Sequence, residues 1–303
     1  PPLWRRTTLG CRIFTKMKIA YTDFWLDFQE QNNFFIDLFR DIYGPVEVSS
    51  PDSADILFFG PYGDQHKNYQ QKDLIKIFYT GENERPNFND CDYSLTFDFD
   101  DYEGRNVRLP LWFLQLDWYD KKGYVNPEFV LPLDKIEENE YISHEKEGFC
   151  VLVNNNLFNN RVDCVNLLNK YKAVHCYGKP FGNWFYGESR KYEIFSHYKF
   201  SICFENSFAP NGGYYTEKLI HAKCSGTLPL YYADPRVSED FNTKSFLNLN
   251  DYDSMQDLVD HVIEIDQNED LYNEIINQPL FNKTPNKDNL QELKQKIKNL
   301  IKL

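Results

Sequence analysis

Short apolar runs alternate with amphipathic segments along the chain from Met17 onward. In the first half, strands are predicted where Gly, Pro, Asn or Asp bound such a run, at residues 18–25, 46–50, 54–60, 74–82, 93–99 and 106–113. A helix is predicted over residues 32–44, because five apolar side chains share one face before Gly44: Phe34, Phe35, Leu38, Phe39 and Ile42. These elements predict an α/β unit in the first half.

The alternation resumes after residues 134–148, a charged segment without apolar periodicity. Strands are predicted at residues 149–154, 173–178, 200–206, 228–234 and 246–250. Helices are predicted at residues 159–172, 189–199, 253–265, 269–278 and 286–303, and one more helix begins at Thr216. Strands that alternate with helices form parallel sheets, which bind ligands at the carboxyl ends of their strands.

Two such units joined by a polar segment predict an α/β protein with two Rossmann-like domains facing a cleft. The N-terminal domain is assigned to residues 17–140, the linker to 141–147, and the C-terminal domain with its terminal helices to 148–303. Residues 1–16 carry four cations and no acid, and they lack the apolar core of a signal peptide. They are interpreted as a leader or an expression remnant, and whether they are native stays open.

The charge balance limits the partners. With 33 basic and 46 acidic residues the net charge is −13, which argues against nucleic acid or an anionic membrane as the main partner. No apolar run reaches the length of a membrane span. The basic amphipathic helix at residues 286–303 is expected to cap its own domain, and a weak peripheral membrane contact is the alternative.

The cysteines indicate the compartment. There are 7, an odd number at irregular spacing, and most have apolar neighbours. This pattern favours small buried residues with free thiols over disulfides or a zinc set, and it predicts a cytoplasmic location.

The stretch GGYYTEKLIHAK, residues 212–223, combines features of an anion site. Thr216 is predicted to cap a helix, which places Glu217 and Lys218 in the first turn. Free N–H groups and a positive dipole favour anions at a helix N-terminus, and Gly212 and Gly213 would allow the backbone to approach a ligand closely. Neither GxxxxGK[ST] nor GxGxxG is present. The stretch alone is therefore weak evidence of a phosphate site.

The longer run YKFSICFENSFAPNGGYYTEKLIHAKCSGTLPLYYADPRVSEDFNTKSF, residues 198–246, resembles the α1,3/4-fucosyltransferase family. The residues in step with its signature include FEN at 204–206, GY at 213–214, TEK at 216–218 and the FNxKSF motif at 241–246. A weaker likeness extends over about residues 70–275. The family pattern differs at Tyr215, where valine is usual, and at Ala233, where glycine is common.

The resemblance implies a GT-B glycosyltransferase. It would move L-fucose from GDP-β-L-fucose to a glycan hydroxyl, such as O3 of GlcNAc, with inversion and without a catalytic metal or other cofactor. By position, Lys218 and Arg161 match the residues that meet the donor diphosphate. Three others match residues around the phosphates, fucose and ribose: Asn206, Tyr214 and Glu217. Glu82 matches the proposed general base.

Each of these residues has an alternative interpretation. Glu84, two residues beyond Glu82, is a second candidate for the base. Arg161 taken alone would be assigned to an exposed helix face. Asn206 and Tyr214 taken alone would fit an Asx turn and loop packing.

Other chemistries also stay open. Asp98, Asp100 and Asp101 could hold a divalent ion against a nucleotide, or they could form a solvated strand end. The six histidines show no metal-ligand spacing. Two rival functions are a transferase of the same fold that uses another nucleotide sugar, and an inactive nucleotide-sugar or glycan-binding module. The acceptor glycan, its regiochemistry and the oligomeric state are not predicted.

Overall fold

Two parallel sheets form the framework of the protein. The computed structural model describes residues 16–125, 127–137, 146–183, 188–207 and 212–301. The segment predicted as a leader and the predicted linker lie almost wholly outside the described residues. The domain boundaries that they separate therefore stay predictions.

The first sheet has six strands in the order β2-β1-β3-β4-β5-β6. They are β1 (Met17–Thr22), β2 (Val46–Val48), β3 (Ile56–Phe59), β4 (Ile75–Tyr79), β5 (Tyr93–Thr96) and β6 (Asn106–Arg108). Helix α1 (Phe34–Tyr43) packs its buried face on the sheet, and Asn33 caps it by accepting from Ile36 N at 2.9 Å. The connections after β3, β4 and β5 consist of loops and 3₁₀ turns without an α-helix. These loops provide one side of the candidate site.

The second sheet has five strands in the order β11-β10-β9-β7-β8. They are β7 (Gly148–Val153), β8 (Val174–Tyr177), β9 (Tyr198–Ile202), β10 (Leu228–Tyr231) and β11 (Leu247–Asn248). The helices of this half are α3 (Asn159–Leu168), α4 (Glu188–Ser196), α5 (Lys218–Lys223), α6 (Met255–Gln267) and α7 (Glu269–Ile276), and the short α2 (Leu133–Glu137) precedes β7. The prediction of an α/β protein with two parallel-sheet regions is confirmed.

The last helix, α8 (Lys287–Leu300), packs against the first sheet and α1. Tyr43 donates its hydroxyl to Ile301 O at 3.0 Å, and Lys294 Nζ lies 2.8 Å from Asp41 Oδ2. The predicted apolar face of α8 is buried. It packs on the first half of the chain and not on the second. Among the described residues, no helix combines the length and apolarity needed to cross a lipid bilayer.

Side chains join the two halves where strands of both sheets end. Arg108, at the end of β6, lies 2.6 Å from Asp240, which also accepts from Tyr215 Oη at 2.7 Å and Trp112 Nε1 at 3.1 Å. Asn83 Nδ2, beyond β4, donates to Ser207 Oγ, beyond β9, at 2.7 Å. The carboxyl ends of these two strands therefore meet at one cleft.

Candidate active site

Glu82 lies just beyond β4, on the first-half side of the cleft. Its backbone N donates to Thr80 Oγ1 at 2.9 Å, which fixes the turn, and its Oε1 accepts from the Tyr62 hydroxyl at 3.0 Å. The Glu82 side chain lines a pocket, whereas Glu84 is exposed and does not line it. Of the two candidate bases, Glu82 is the one that faces enclosed space.

The loop that carries Tyr62 is anchored to the end of β1. The Asp23 carboxylate accepts from Gln65 N at 3.1 Å and from His66 N at 2.9 Å, and its Oδ2 lies 2.7 Å from His66 Nδ1. A Cβ at Gly60 would lie 2.6 Å from Asp23 O, so a side chain there would displace the loop. This anchoring holds Tyr62 against Glu82.

An aromatic pocket of about 180 Å³ lies between Glu82 and Glu217. All of its lining residues except Glu217 come from the first half of the chain. Much of its wall is aromatic: Trp25, Phe28, Phe34, Phe35, Tyr62 and Tyr79. Aromatic walls with a few converging polar groups are typical of small-ligand pockets.

Glu217 closes the pocket from the second half. Its Oε1 lies 3.9 Å from Lys191 Nζ, and its buried Oε2 has no hydrogen-bond partner among the described residues. Burial by itself would raise the pKa of Glu217, but the neighbouring cations Lys218 and Lys191 outweigh it and lower the pKa to about 2. The carboxylate is therefore charged at neutral pH, with one oxygen unpaired.

Lys218 is held by a buried carboxylate, Glu205. Lys218 Nζ lies 2.7 Å from Glu205 Oε2 and 2.9 Å from Thr216 Oγ1. Glu205 also accepts from Thr216 N at 2.8 Å, from Thr216 Oγ1 at 2.9 Å and from Tyr231 Oη at 2.7 Å. Burial lowers the pKa of Lys218, but Glu205 and Glu217 outweigh this and raise it. Lys218 is therefore a charged ammonium in a fixed position.

The prediction that Thr216 caps a helix is wrong. Helix α5 begins at Lys218, with Glu217 at the N-cap and no side-chain cap. The Thr216 hydroxyl donates to Glu205, and its oxygen accepts from Lys218 Nζ at 2.9 Å in place of a backbone N–H of the helix. The helix has 6 residues, so its dipole adds little to the charge that Lys218 carries.

Arg161, in the first turn of α3, is completely buried. Its Nε donates to Phe204 O. Its Nη1 donates to Asn154 Oδ1 at 3.1 Å and to Asn156 O at 2.6 Å. Its Nη2 donates to Phe204 O and to Asn206 Oδ1, the latter at 2.9 Å. All five N–H groups of the guanidinium thus have protein acceptors. Burial lowers its pKa. The alternative assignment to an exposed helix face is wrong, since carbonyls of neighbouring loops enclose the side chain.

Tyr214 is buried where the two halves meet. Its ring contacts Phe97 edge-on, with the centroids 5.1 Å apart. Burial raises its pKa, and the carboxylates of Glu205 and Glu82 raise it further. The preceding Gly213 has φ of 81°, and a Cβ there would lie 2.5 Å from the Phe99 ring. Among the described residues, Gly213 therefore allows the backbone to approach an aromatic ring closely.

Two of the three aspartates, Asp98 and Asp100, are engaged by protein groups. Asp98 is buried, its Oδ1 lies 2.9 Å from Arg85 Nε, and its Oδ2 accepts from Tyr102 Oη at 3.2 Å. Asp100 Oδ1 accepts from Tyr102 N at 2.8 Å. In the described part of the chain, no three His, Cys, Asp or Glu side chains are grouped so that they could hold a metal ion.

Most of the predicted site residues share one cleft. Glu82 and Glu217 line the aromatic pocket, Lys218 adjoins Glu217, and Arg161 contacts Asn206, the neighbour of Glu205. Sequence reasoning assigned no role to Glu205 or Tyr62. The FEN motif contains Glu205, but only the fold shows that its carboxylate is buried under Lys218.

Two family models match the chain in consecutive regions. The α-(1,3)-fucosyltransferase FucT N-terminal domain matches residues 19–115. The C-terminal region of glycosyltransferase family 10 (fucosyltransferase) matches residues 142–278.

Known proteins resemble the chain over most of its length. The α-(1,3)-fucosyltransferase FucT of Helicobacter pylori is 30% identical over 275 residues, which cover 81% of this chain and 56% of that protein. A crystal structure of an α1,3-fucosyltransferase aligns with a TM-score of 0.71 and 26% identity, covering 94% of this chain and 90% of that one. A structure of an α1,3-fucosyltransferase with GDP-fucose aligns with a TM-score of 0.68 and 25% identity, covering 95% and 91%. The chain spans about half or less of the length of the curated relatives that it matches.

Proposed function

This chain belongs to glycosyltransferase family 10, the fucosyltransferases, and we propose that it transfers L-fucose from GDP-β-L-fucose to a glycan hydroxyl, such as O3 of GlcNAc. One observation carries the proposal. Glu82 from the first half and Glu217, the neighbour of Lys218, from the second half line the same aromatic pocket. The carboxylate of Glu82 reaches this cavity directly, and the cation Lys218 adjoins it through Glu217 without lining it. A base and a fixed cation in one cleft are what a metal-independent displacement at a sugar carbon needs.

Glu82 is the proposed general base. In an inverting displacement, the acceptor oxygen attacks C1 of fucose while its proton passes to the base, and the bond from C1 to the phosphate oxygen breaks on the opposite face. The hydrogen bond from Tyr62 occupies Oε1 of Glu82 and leaves Oε2 available to accept that proton. Tyr62 is thus proposed to orient the carboxylate.

Lys218 is the proposed partner of the departing GDP. The leaving diphosphate takes the electron pair of the broken bond, so positive charge fixed beforehand stabilises the transition state. Glu205 holds the ammonium in place at 2.7 Å, so little reorganisation is needed when the nucleotide binds. The backbone amides of the short helix α5 have a secondary role in this proposal.

Arg161 is proposed to act on the donor in two ways. Its buried charge adds to the positive potential near Lys218, and its hydrogen bond orients Asn206. A direct phosphate contact requires one of its five N–H groups to exchange a protein oxygen for a phosphate oxygen. Asn206, Tyr214 and Glu217 are proposed to line the donor, with Glu217 Oε2 accepting from a sugar hydroxyl.

No cofactor is included in the proposal. Lys218 and Arg161 supply the positive charge that a divalent ion would supply in other transferases. Asp98 is an unsuitable metal ligand because Arg85 and Tyr102 already occupy its oxygens. We therefore expect EDTA to leave turnover nearly unchanged. Loss of activity that Mn²⁺ restores would instead favour the aspartate cluster.

A cytoplasmic location is also proposed. The six described cysteines are free, and five of them are buried. Reduced thiols of this kind are typical of proteins in a reducing compartment.

Calorimetry followed by a transfer assay tests the function. We expect GDP and GDP-fucose to bind more tightly than UDP and UDP-sugars, and a screen of glycans with GDP-fucose to identify an acceptor. Tighter binding of UDP would favour a transferase of the same fold with another donor. Binding of GDP-fucose without transfer to any glycan in the screen would favour an inactive module.

A further inference from the structure

Four polar side chains form a bridge from the donor side of the cleft to the first half of the protein. Lys191 Nζ, on α4, lies 3.9 Å from Glu217 Oε1 and 3.0 Å from His221 Nδ1. His221 Nε2, on α5, lies 3.3 Å from the amide oxygen of Gln115. His221 is completely buried, and Gln115 is nearly so. Glu217, Lys191, His221 and Gln115 are called the polar bridge below.

The direction of each hydrogen bond in the polar bridge follows from Lys191. An ammonium can only donate, so His221 Nδ1 accepts from it. Burial and the charge of Lys191 hold the pKa of His221 well below its ordinary value, so the ring is neutral and carries its proton on Nε2. That N–H donates to the Gln115 oxygen. Lys191 therefore selects one tautomer of His221 and one orientation of the Gln115 amide.

Aromatic contacts and a backbone hydrogen bond hold the polar bridge in place. The Tyr192 ring, next to Lys191 on α4, contacts the His221 ring edge-on with the centroids 5.1 Å apart. Phe129, from the first half, contacts Tyr192 edge-on at 5.1 Å. The Gln115 carbonyl accepts from Leu131 N at 2.7 Å. The second-half helices α4 and α5 are thus packed against the first half at this point.

The two cations beside Glu217 have different partners. Lys218 Nζ lies 2.7 Å from Glu205 and 2.9 Å from Thr216 Oγ1. In the described part of the chain, Lys191 Nζ pairs only with His221 and Glu217. At 3.9 Å the latter contact is an ion pair rather than a hydrogen bond, and its attraction favours the orientation in which Oε1 of Glu217 points toward Lys191.

We propose that Lys191 is a positioning residue for Glu217, and that His221 and Gln115 hold Lys191 in place from the first half. The inference rests on the proposed function, in which Glu217 lines the donor. It assigns to Lys191 no contact with the donor itself. The orientation of Glu217 then depends on the contact between the two halves.

Two lysine variants test the positioning role. Lys191→Met removes the cation beside Glu217. Lys199→Met is its matched control, because the Lys199 side chain is 15% exposed against 19% for Lys191 and pairs with Asp266 at 3.4 Å, away from Glu217. By calorimetry, only Lys191→Met should weaken GDP-fucose binding, by about three- to tenfold. His221→Leu should act in the same direction by a smaller factor, because Lys191 keeps its charge but loses its acceptor.

A double-mutant cycle with Glu217→Gln shows whether Lys191 acts through Glu217. In the Glu217→Gln background, Lys191→Met should change GDP-fucose affinity by less than about twofold, because the carboxylate that it positions is gone. An equal loss in both backgrounds would show that Lys191 acts on the donor or on the fold by itself. That result, or an unchanged affinity in Lys191→Met, would overturn the inference.

Urea unfolding of the same variants distinguishes a failure of the proposed function, because it needs no ligand. The polar bridge predicts that Lys191→Met lowers the free energy of unfolding more in wild type than in the Glu217→Gln background. If wild type binds no GDP-fucose but this difference is found, the positioning of Glu217 stands and the proposed donor is wrong. If the difference is absent, the positioning role is wrong whether or not GDP-fucose binds.

Discussion

The two sides of the cleft satisfy their polar groups in opposite ways. On the second-half side, Arg161 donates all five of its N–H groups to oxygens of the protein. Lys218 is paired with the Glu205 carboxylate, which accepts three further hydrogen bonds from the protein. On the first-half side, Tyr79 and Trp25 leave buried polar atoms unpaired. The cluster of Arg161, Lys218 and Glu205 is therefore hydrogen-bonded within the protein before any ligand arrives, whereas Tyr79 and Trp25, like Glu217 Oε2 beside that cluster, are not.

This difference indicates two kinds of recognition. A charge cluster that the protein fixes in advance can stabilise a ligand group that is always the same, such as a diphosphate, through its positive potential. The aromatic pocket instead offers apolar ring faces beside the Glu82 carboxylate, which suits selection among ligands by shape. The loops of the first half, which replace helices after β3, β4 and β5, are consistent with that role.

The largest expected effect is on the reaction itself. Glu82→Gln keeps the shape of the side chain but removes the proposed base, so we expect kcat to fall by about 10²–10⁴-fold. GDP affinity by calorimetry should be unchanged, because Glu82 lies on the first-half side. Glu84→Gln is the matched control and should retain full activity, since that side chain is exposed. Full activity in Glu82→Gln would show that Glu82 is not the base. Loss of activity in Glu84→Gln would assign the base to Glu84.

Removing Lys218 should affect both stability and transfer. Lys218→Met leaves the buried carboxylate of Glu205 without its counter-ion, which should lower the free energy of unfolding by about 3–5 kcal/mol. It should also lower kcat/KM by about 10²–10³-fold, as removal of a transition-state contact does. Urea unfolding and initial rates measure the two effects separately.

The double variant Lys218→Met/Glu205→Gln separates the two roles of Lys218. Neutralising Glu205 should restore much of the lost stability without restoring transfer. If the transfer activity were restored together with the stability, Lys218 would have a structural role only. The cluster of Lys218, Glu205 and Arg161 would then not be the donor site.

A smaller effect is expected on acid stability through Glu217. Its pKa of about 2 lies below the ordinary value of 4.5, so the charged carboxylate adds stability that is present above about pH 5 and is lost as the pH falls toward 2. In Glu217→Gln, the free energy of unfolding should therefore decline less steeply between pH 5 and pH 2. Equal slopes in chemical denaturation would show that Lys218 and Lys191 do not stabilise this carboxylate.

The smallest effect is expected at the contact between the halves. Asp240→Asn weakens the contacts with Arg108, Tyr215 and Trp112 and should lower the free energy of unfolding by about 1–2 kcal/mol. Because Asp240 lies outside the aromatic pocket, kcat/KM should change by less than about threefold. A much larger loss of activity would mean that the two sides of the cleft depend on this contact for their alignment.

Sequence patterns predicted the sheets well and the site only in part. Apolar periodicity predicted the strands and the buried face of α8, but it contains no information on which surface covers that face. The motif identified Lys218 and Glu82 by resemblance. It did not reveal that Arg161 is saturated, because its acceptors at Phe204 and Asn206 are distant in sequence. With 17% aromatic residues, the sequence also cannot separate Trp25 and Tyr79, at the pocket, from rings of the core.

The most direct measurement is a crystal structure of the protein soaked with GDP-fucose. We expect the diphosphate against Lys218, with the fucose C1 between it and the Glu82 carboxylate. A diphosphate bound through a metal ion at Asp98–Asp101, or held away from Lys218, would contradict this expectation.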